Sequence, residues 1–154
     1  MVSRIYIDTS IVGGYFDDEF LDDTRELFKR LENKEIIFMI SSVLKQELQK
    51  APNSVRELLD KYDSSCFEYV ELTKEAIDLA DKYIDEKVVG KTSADDCRHI
   101  ALATICKADV LASWNFKHIV NLDRIKGYNG VNLKYGYSMV EIRTPKELLK
   151  YDKE

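Results

Sequence analysis

Five short apolar stretches are separated by longer segments in which apolar residues recur every three or four positions. The short stretches are rich in β-branched and aromatic residues, which is typical of strands buried in a parallel sheet. The predicted strands are 4–8, 35–40, 66–72, 109–114 and 139–143, with the weakest pattern in 66–72.

The segments between these strands have the apolar spacing of helices that bury one face. The predicted helices are, roughly, 19–33, 41–50, 54–63, 74–88, 95–107 and a short one at 145–151 after Pro145. Strands that alternate with helices indicate an α/β fold with a mostly parallel sheet and right-handed crossovers.

One long region, 121–137, shows neither pattern and contains three glycines. Irregular segments of this length are uncommon inside a compact domain unless they have a function. The sequence therefore predicts a loop here, and we interpret it as a binding loop.

The composition fits a single soluble domain over residues 1–154, because 154 residues with 45% apolar content can bury one core. The formal net charge of −5 argues against a protein that holds nucleic acid by bulk positive charge. Any such contact must be local. Residues 117–137 combine Lys117, three further basic residues and three tyrosines, a mixture that suits single-stranded nucleic acid, although a solvated loop has the same composition.

Three cysteines, Cys66, Cys97 and Cys106, form no CxxC pair and lie among apolar neighbours. This usage predicts buried thiols in a reducing compartment and disfavours structural zinc. No apolar run approaches the roughly 18 residues of a membrane span, and the chain starts with a strand-like pattern instead of a signal sequence. We expect a cytoplasmic protein without a membrane segment.

Asp8 and Asn115 each follow a predicted strand. In open parallel sheets, ligands bind beyond the carboxyl ends of the strands, where the strand order reverses. Both side chains are therefore candidates for one site, with Thr9 and Ser10 close enough to orient Asp8. Asp8 as a simple cap of the following turn is the alternative.

Glu47 lies in the middle of the apolar face of the helix predicted at 41–50. Acids seldom occupy such a face unless they are paired or bind a metal ion. The alternative is a glutamate at the edge of the face that reaches water or pairs with Lys50.

Asp95 and Asp96 open the helix predicted at 95–107. Asp96 shares a face with Ile100 and Ala103 and should point toward the rim of the sheet, whereas Asp95 lies to the side. The alternative is a capping box, in which Ser93 and Asp96 cap the helix start.

Three carboxylates near one point repel one another unless a cation lies between them. Oxygen ligands favour Mg²⁺ or Mn²⁺ over Zn²⁺, and such an ion supports hydrolysis of a phosphodiester by lowering the pKa of water. Asp8, Glu47 and Asp96 therefore predict a divalent-metal site with hydrolytic chemistry.

Four segments in this order resemble the PIN-domain nucleases, in particular the VapC-like toxins of type II toxin-antitoxin systems. They are IYIDTSIVGGYF (5–16), SSVLKQEL (41–48), DCRHIALA (96–103) and LASWNFKHI (111–119). The resemblance implies a three-layer α/β/α fold with about four or five strands. It also implies a divalent-metal-dependent endoribonuclease that acts on RNA, forms a homodimer and is silenced by an antitoxin protein.

Within this resemblance, the three metal-binding acids fall on Asp8, Glu47 and Asp96, and a fourth, often Asp, falls on Asn115. An amide removes one negative charge, so we expect one firmly held metal ion. Supporting or substrate-contacting roles are assigned to Thr9, Ser10, Asp95, His99, Lys117 and His118. Two other interpretations stay open: a PIN-like domain that has lost catalysis and acts as an RNA- or protein-binding module, and a structural domain whose acids are caps.

Overall fold

The fold is described from a computed structural model, which describes residues 2–90 and 93–151. Five parallel strands form one sheet in the order β3-β2-β1-β4-β5. The strands are β1 (Ser3–Ile7), β2 (Ile36–Ser41), β3 (Phe67–Val70), β4 (Val110–Ala112) and β5 (Ile142–Arg143). All five predicted strands are confirmed, with shorter bounds for the last three.

Eight α-helices occur in the described residues and cover both faces of the sheet. They are α1 (Thr9–Gly14), α2 (Leu21–Glu32), α3 (Ser42–Leu48), α4 (Asn53–Glu57), α5 (Lys74–Asp85), α6 (Ala94–Ile105), α7 (Leu122–Lys134) and α8 (Pro145–Tyr151). The predicted helix at 54–63 divides into α4 and a 3-10 turn at Leu59–Lys61, and α1 was not predicted. The three-layer α/β/α architecture is confirmed.

Alternate residues of β1 divide the core into two parts. Ile5 and Ile7 face α1, α2 and α3, whereas Tyr6 faces α5, α6 and α7. This alternation is what a strand covered on both sides requires, because successive side chains point to opposite faces. Tyr6 and Asp8 therefore belong to the same side of the sheet.

The prediction of a binding loop at 121–137 is wrong, because most of this region is the helix α7. The Asn121 side chain accepts a hydrogen bond from the backbone amide of Arg124 and caps the helix start. Asn129 and Asn132 are buried and hydrogen-bonded. A Cβ at Gly127 would come within 2.8 Å of Val88, so the glycine allows close packing. Tertiary contacts stabilise a helix that its glycines and asparagines disfavour locally.

None of the helices in residues 2–90 and 93–151 has the length and apolar character needed to cross a membrane. All three cysteines are free; Cys66 and Cys97 are buried as predicted, and Cys106 is half-buried. The single-domain prediction extends to Met1, 91–92 and 152–154, which lie outside the described residues, and it stays a prediction.

Candidate active site

The candidate site lies at the carboxyl ends of β1 and β4, where the strand order reverses. The chain places β2 and β3 on one side of β1 and returns to place β4 and β5 on the other. Asp8 directly follows β1, and Ser113 to Asn115 directly follow β4. The two strands pair side by side, with Ile7 opposite Ala112, so the residues that follow them are neighbours.

Asp8 is a buried carboxylate held by two hydroxyl groups. Its side chain is only 4% exposed; Oδ1 accepts a hydrogen bond from Ser10 Oγ at 2.6 Å and Oδ2 one from Ser113 Oγ at 2.6 Å. Burial raises the pKa of Asp8, although both hydroxyl groups oppose the shift. Asp8 occupies the N-cap position of α1, but its side chain makes no cap hydrogen bond. The two hydroxyl groups are its hydrogen-bond partners instead, so Asp8 does more than cap the turn.

Glu47 reaches the site from α3, which begins where Ser41 Oγ accepts the amide of Leu44 at 3.0 Å. The neighbours Val43 and Leu44 are buried, whereas the Glu47 side chain is 30% exposed to solvent. Its Oε1 accepts hydrogen bonds from Thr9 Oγ1 at 2.7 Å and His99 Nε2 at 2.6 Å. Burial raises the pKa of Glu47, but the bonds from His99 and Thr9 outweigh it, so the net shift is downward.

Asp96 lies in the first turn of α6 and contacts Asn115. The Asn115 side-chain amide donates to Asp96 Oδ2 at 3.2 Å. Burial raises the pKa of Asp96, and the negative charges of Asp8 and Glu47 raise it further. The charges of Asp8 and Glu47 thus act on Asp96. Ser93 makes no cap hydrogen bond, so the capping-box interpretation is wrong.

Some of the predicted supporting residues contact the acids, and others do not. Thr9, Ser10 and His99 contact the acids directly, although His99 bonds Glu47 and not its helix neighbour Asp96. Asp95 is exposed. Lys117 and His118 donate their backbone amides to Asn115 Oδ1 at 3.2 and 3.0 Å, and the His118 imidazole favours the ionised form of Asp96.

Sequence reasoning missed two residues of this site. Ser113 donates to Asp8 and accepts the backbone amide of Asn115 at 2.9 Å, so it joins the two strand ends. A serine that closes an otherwise apolar strand was the available signal. Tyr6, whose hydroxyl lies 2.7 Å from His99 Nδ1, looks in the sequence like any other core aromatic residue.

The proposed role of the tyrosines near α7 in stacking RNA bases needs correction. Tyr128 is fully buried, and its hydroxyl donates to the carbonyl of His118 at 2.6 Å. Tyr137 donates to Glu75 at 2.8 Å, whereas Tyr135 is exposed. Tyr128 is therefore unavailable for stacking, and its hydroxyl fixes the segment that follows Asn115.

The donor set fits a hard divalent cation. All the acidic groups are oxygen donors, and the mutual repulsion at Asp96 is what a cation would relieve. Within residues 2–90 and 93–151, no group of three or more His, Cys, Asp and Glu side chains is arranged to hold a metal ion by itself. Because Mg²⁺ is often bound through one or two carboxylates plus water and substrate phosphate, it does not require such a cluster.

Neither a protein-family model nor a curated protein sequence matches this chain. Solved structures do match over almost the whole length. VapBC2 from Rickettsia felis, bound to a promoter DNA fragment, is 15% identical, with 92% of this chain and 98% of that chain covered and a TM-score of 0.57.

Two further matches have similar scores. VapC20 of Mycobacterium tuberculosis, a sarcin-ricin loop cleaving toxin, is 13% identical over 89% of this chain and 98% of that chain, with a TM-score of 0.57. FitAcB from Neisseria gonorrhoeae is 11% identical over 92% of this chain and 97% of that chain, also with a TM-score of 0.57. At these identities the likeness establishes the fold: the chain has the PIN-domain fold of the VapC-like toxins.

Proposed function

We propose that this protein is a divalent-metal-dependent endoribonuclease that hydrolyses RNA phosphodiester bonds, and that it is the toxin of a toxin-antitoxin pair. The observation that carries this proposal is the convergence of Asp8, Glu47 and Asp96. They come from a strand end and two helices, and they meet at the carboxyl edge of a VapC-like fold. The sarcin-ricin loop cleaving toxin with the same fold supports RNA as the substrate class.

Asp8, Glu47 and Asp96 would hold Mg²⁺ or Mn²⁺. When bound, such an ion lowers the pKa of water and stabilises charge on the phosphate. Ser10 and Ser113 fix the Asp8 carboxylate, while Thr9 and His99 fix Glu47. Asn115 orients Asp96 through its amide, and its Oδ1 organises the backbone of Lys117 and His118, beside which we place the RNA.

The proposed partners follow from the matched complexes. VapBC2 from Rickettsia felis, FitAB, and VapBC from Salmonella typhimurium were each solved bound to DNA. These complexes support an antitoxin protein as partner, and we add a homodimer on the family resemblance alone. The three free cysteines agree with a cytoplasmic site of action, which we also propose.

The test is cleavage of a mixed RNA substrate by wild-type protein and by Asp8→Asn, each with Mg²⁺ or with excess EDTA. We expect cleavage by wild-type protein with Mg²⁺ alone. Asp8→Asn should fold, since serine hydroxyls can accept from an amide as well as donate to a carboxylate. RNA cleavage that is unaltered in Asp8→Asn would refute the assignment.

A domain that has lost catalysis is the second candidate, because Asn115 replaces an acid in the resemblance. Thermal unfolding during Mg²⁺ titration separates the two, since a ligand that binds only the folded state stabilises it by mass action. A degenerate domain predicts no metal-dependent shift and no cleavage. The proposed nuclease predicts a metal-dependent shift in melting temperature and RNA cleavage.

A further inference from the structure

A line of hydrogen bonds runs from the interior of the sheet to Glu47. Tyr6 Oη lies 2.7 Å from His99 Nδ1, and His99 Nε2 lies 2.6 Å from Glu47 Oε1. Tyr6 is 0% and His99 is 1% exposed, so both are sequestered from water. The proposed reaction does not by itself require a buried tyrosine and histidine behind a carboxylate.

The chemistry of the groups sets the direction of these bonds. A carboxylate only accepts hydrogen bonds, so at the 2.6 Å contact with Glu47 the donor is His99 Nε2. A neutral imidazole with its proton on Nε2 can only accept at Nδ1, so the Tyr6 hydroxyl is the donor there. Tyr6 thereby selects the histidine tautomer that donates to Glu47.

Both donors to Glu47 act on the same oxygen. Thr9 Oγ1 and His99 Nε2 donate to Oε1, whereas Oε2 accepts no hydrogen bond from the residues the structure describes. Two donors from different elements, α1 and α6, fix the carboxylate plane more tightly than either would alone. The other oxygen stays available for a ligand.

We propose that His99, backed by Tyr6, is a positioning residue that orients Glu47 to bind the divalent cation. This inference rests on the proposed function, because it assigns Glu47 a cation. Partners that fix the orientation of a metal ligand typically change metal affinity by 10- to 100-fold when they are removed. Tyr6 lies inside the core on β1, and through His99 it fixes the orientation in which Glu47 binds the ion.

The experiment measures Mn²⁺ affinity by isothermal titration calorimetry, without RNA, for four variants. His99→Leu removes the donor to Glu47, and His99→Gln restores a side-chain N–H. Tyr6→Phe removes only the hydroxyl that selects the tautomer. The matched control is Tyr83→Phe, because Tyr83 is also fully buried and donates its hydroxyl to a buried partner, Asn132, away from the acids.

We expect Mn²⁺ affinity to fall by about 10- to 100-fold in His99→Leu and by a smaller factor in Tyr6→Phe. His99→Gln should recover part of the loss. Tyr83→Phe should lower the melting temperature through its lost buried hydrogen bond, yet bind Mn²⁺ as wild type does. The same ranking should appear in the Mg²⁺ concentration that half-saturates RNA cleavage.

The contrary outcomes separate two failures. Unchanged Mn²⁺ affinity in Tyr6→Phe and His99→Gln, with melting temperatures lowered as in Tyr83→Phe, would show that the pair is only structural. That result overturns the positioning role even if His99→Leu does not fold. Wild-type protein that neither binds Mn²⁺ nor cleaves RNA would instead contradict the proposed function itself.

Discussion

Charged side chains are arranged differently at the two ends of the sheet: opposite charges pair at the amino ends of the strands, and acids cluster at the carboxyl ends. At the amino ends of the strands, the Arg4 guanidinium pairs with both oxygens of Glu68 at 2.9 and 2.7 Å, and the Arg4 amide donates to Asp109 at 2.7 Å. At the carboxyl ends, Asp8, Glu47 and Asp96 lie together. Their partners in the described part of the chain are hydroxyls, an amide and an imidazole.

The pKa values of Asp8 and Asp96 record this difference, whereas that of Glu47 is lowered by His99 and Thr9. The hydrogen bond from Arg4 lowers the pKa of Glu68, whereas burial raises the pKa values of Asp8 and Asp96. Opposite charges at one end stabilise the fold, whereas like charges at the other end repel one another, and a bound cation would relieve this repulsion. The contrast supports our proposal that the acids at the carboxyl ends are arranged for a ligand rather than for stability of the free protein.

The largest expected effect is on cleavage. Asp96→Asn should lower the RNA cleavage rate by roughly 100-fold or more, because a carboxylate that helps to hold the ion contributes several kcal/mol to the transition state. Glu68→Gln, the matched change at the opposite edge, should keep the rate within about twofold. The rates are measured under single-turnover conditions. An equal loss of cleavage rate in both variants would show that the two edges do not differ in their contribution to catalysis.

The next effect is on thermal stability and its dependence on pH. Because the pKa of Asp8 is raised, its contribution to stability is present below its unfolded pKa and is lost as the pH rises through its folded pKa. Asp8→Asn should therefore melt above wild type at pH 8 in EDTA, and the gain should shrink toward pH 4. At this chain size, each kcal/mol raises the melting temperature by about 2–4 °C.

Glu68→Gln should show the opposite sign in the same scans. The lowered pKa of Glu68 gives stability that is present above its unfolded pKa and lost as the pH falls through its folded pKa. The variant should thus melt below wild type at pH 8, with a deficit that disappears in acid. A deficit for Asp8→Asn at pH 8 would mean that the two ends do not differ as described.

Removal of the cation at the amino edge gives a smaller change. Arg4→Met should lower the free energy of unfolding by about 1 kcal/mol, because a partly exposed ion pair contributes little beyond its hydrogen bonds. Urea denaturation measures this loss. Mn²⁺ affinity should stay at the wild-type value, and a weaker affinity would show that the edges are coupled.

The smallest expected effect concerns Asn115. Asn115→Asp replaces the amide donor to Asp96 with a fourth negative charge, so the metal-free protein should melt lower. The same charge should raise Mn²⁺ affinity by a few-fold, which calorimetry can measure. A lower affinity would indicate that the amide, not the charge, is what the site requires.

The sequence was sufficient for the strands and most helices, and it singled out the three acids, because each left a local pattern. Asp8 follows a strand, Glu47 interrupts an apolar face, and Asp96 begins a helix. The helix α7 was missed because its glycines and buried asparagines are stabilised by contacts with residues outside the helix, such as Val88 and Val140. Tyr6 was missed for the same reason: its partner His99 is 93 positions away.

The central claim is that a cation neutralises the acids at the carboxyl ends of the sheet. A crystal structure with Mn²⁺, read by anomalous scattering, tests it most directly. We expect a peak within coordination distance of carboxylate oxygens of Asp8 and Asp96, with Glu47 oriented toward it. Protein that cleaves RNA in Mn²⁺ but shows no peak there, or a peak only elsewhere, would contradict the account.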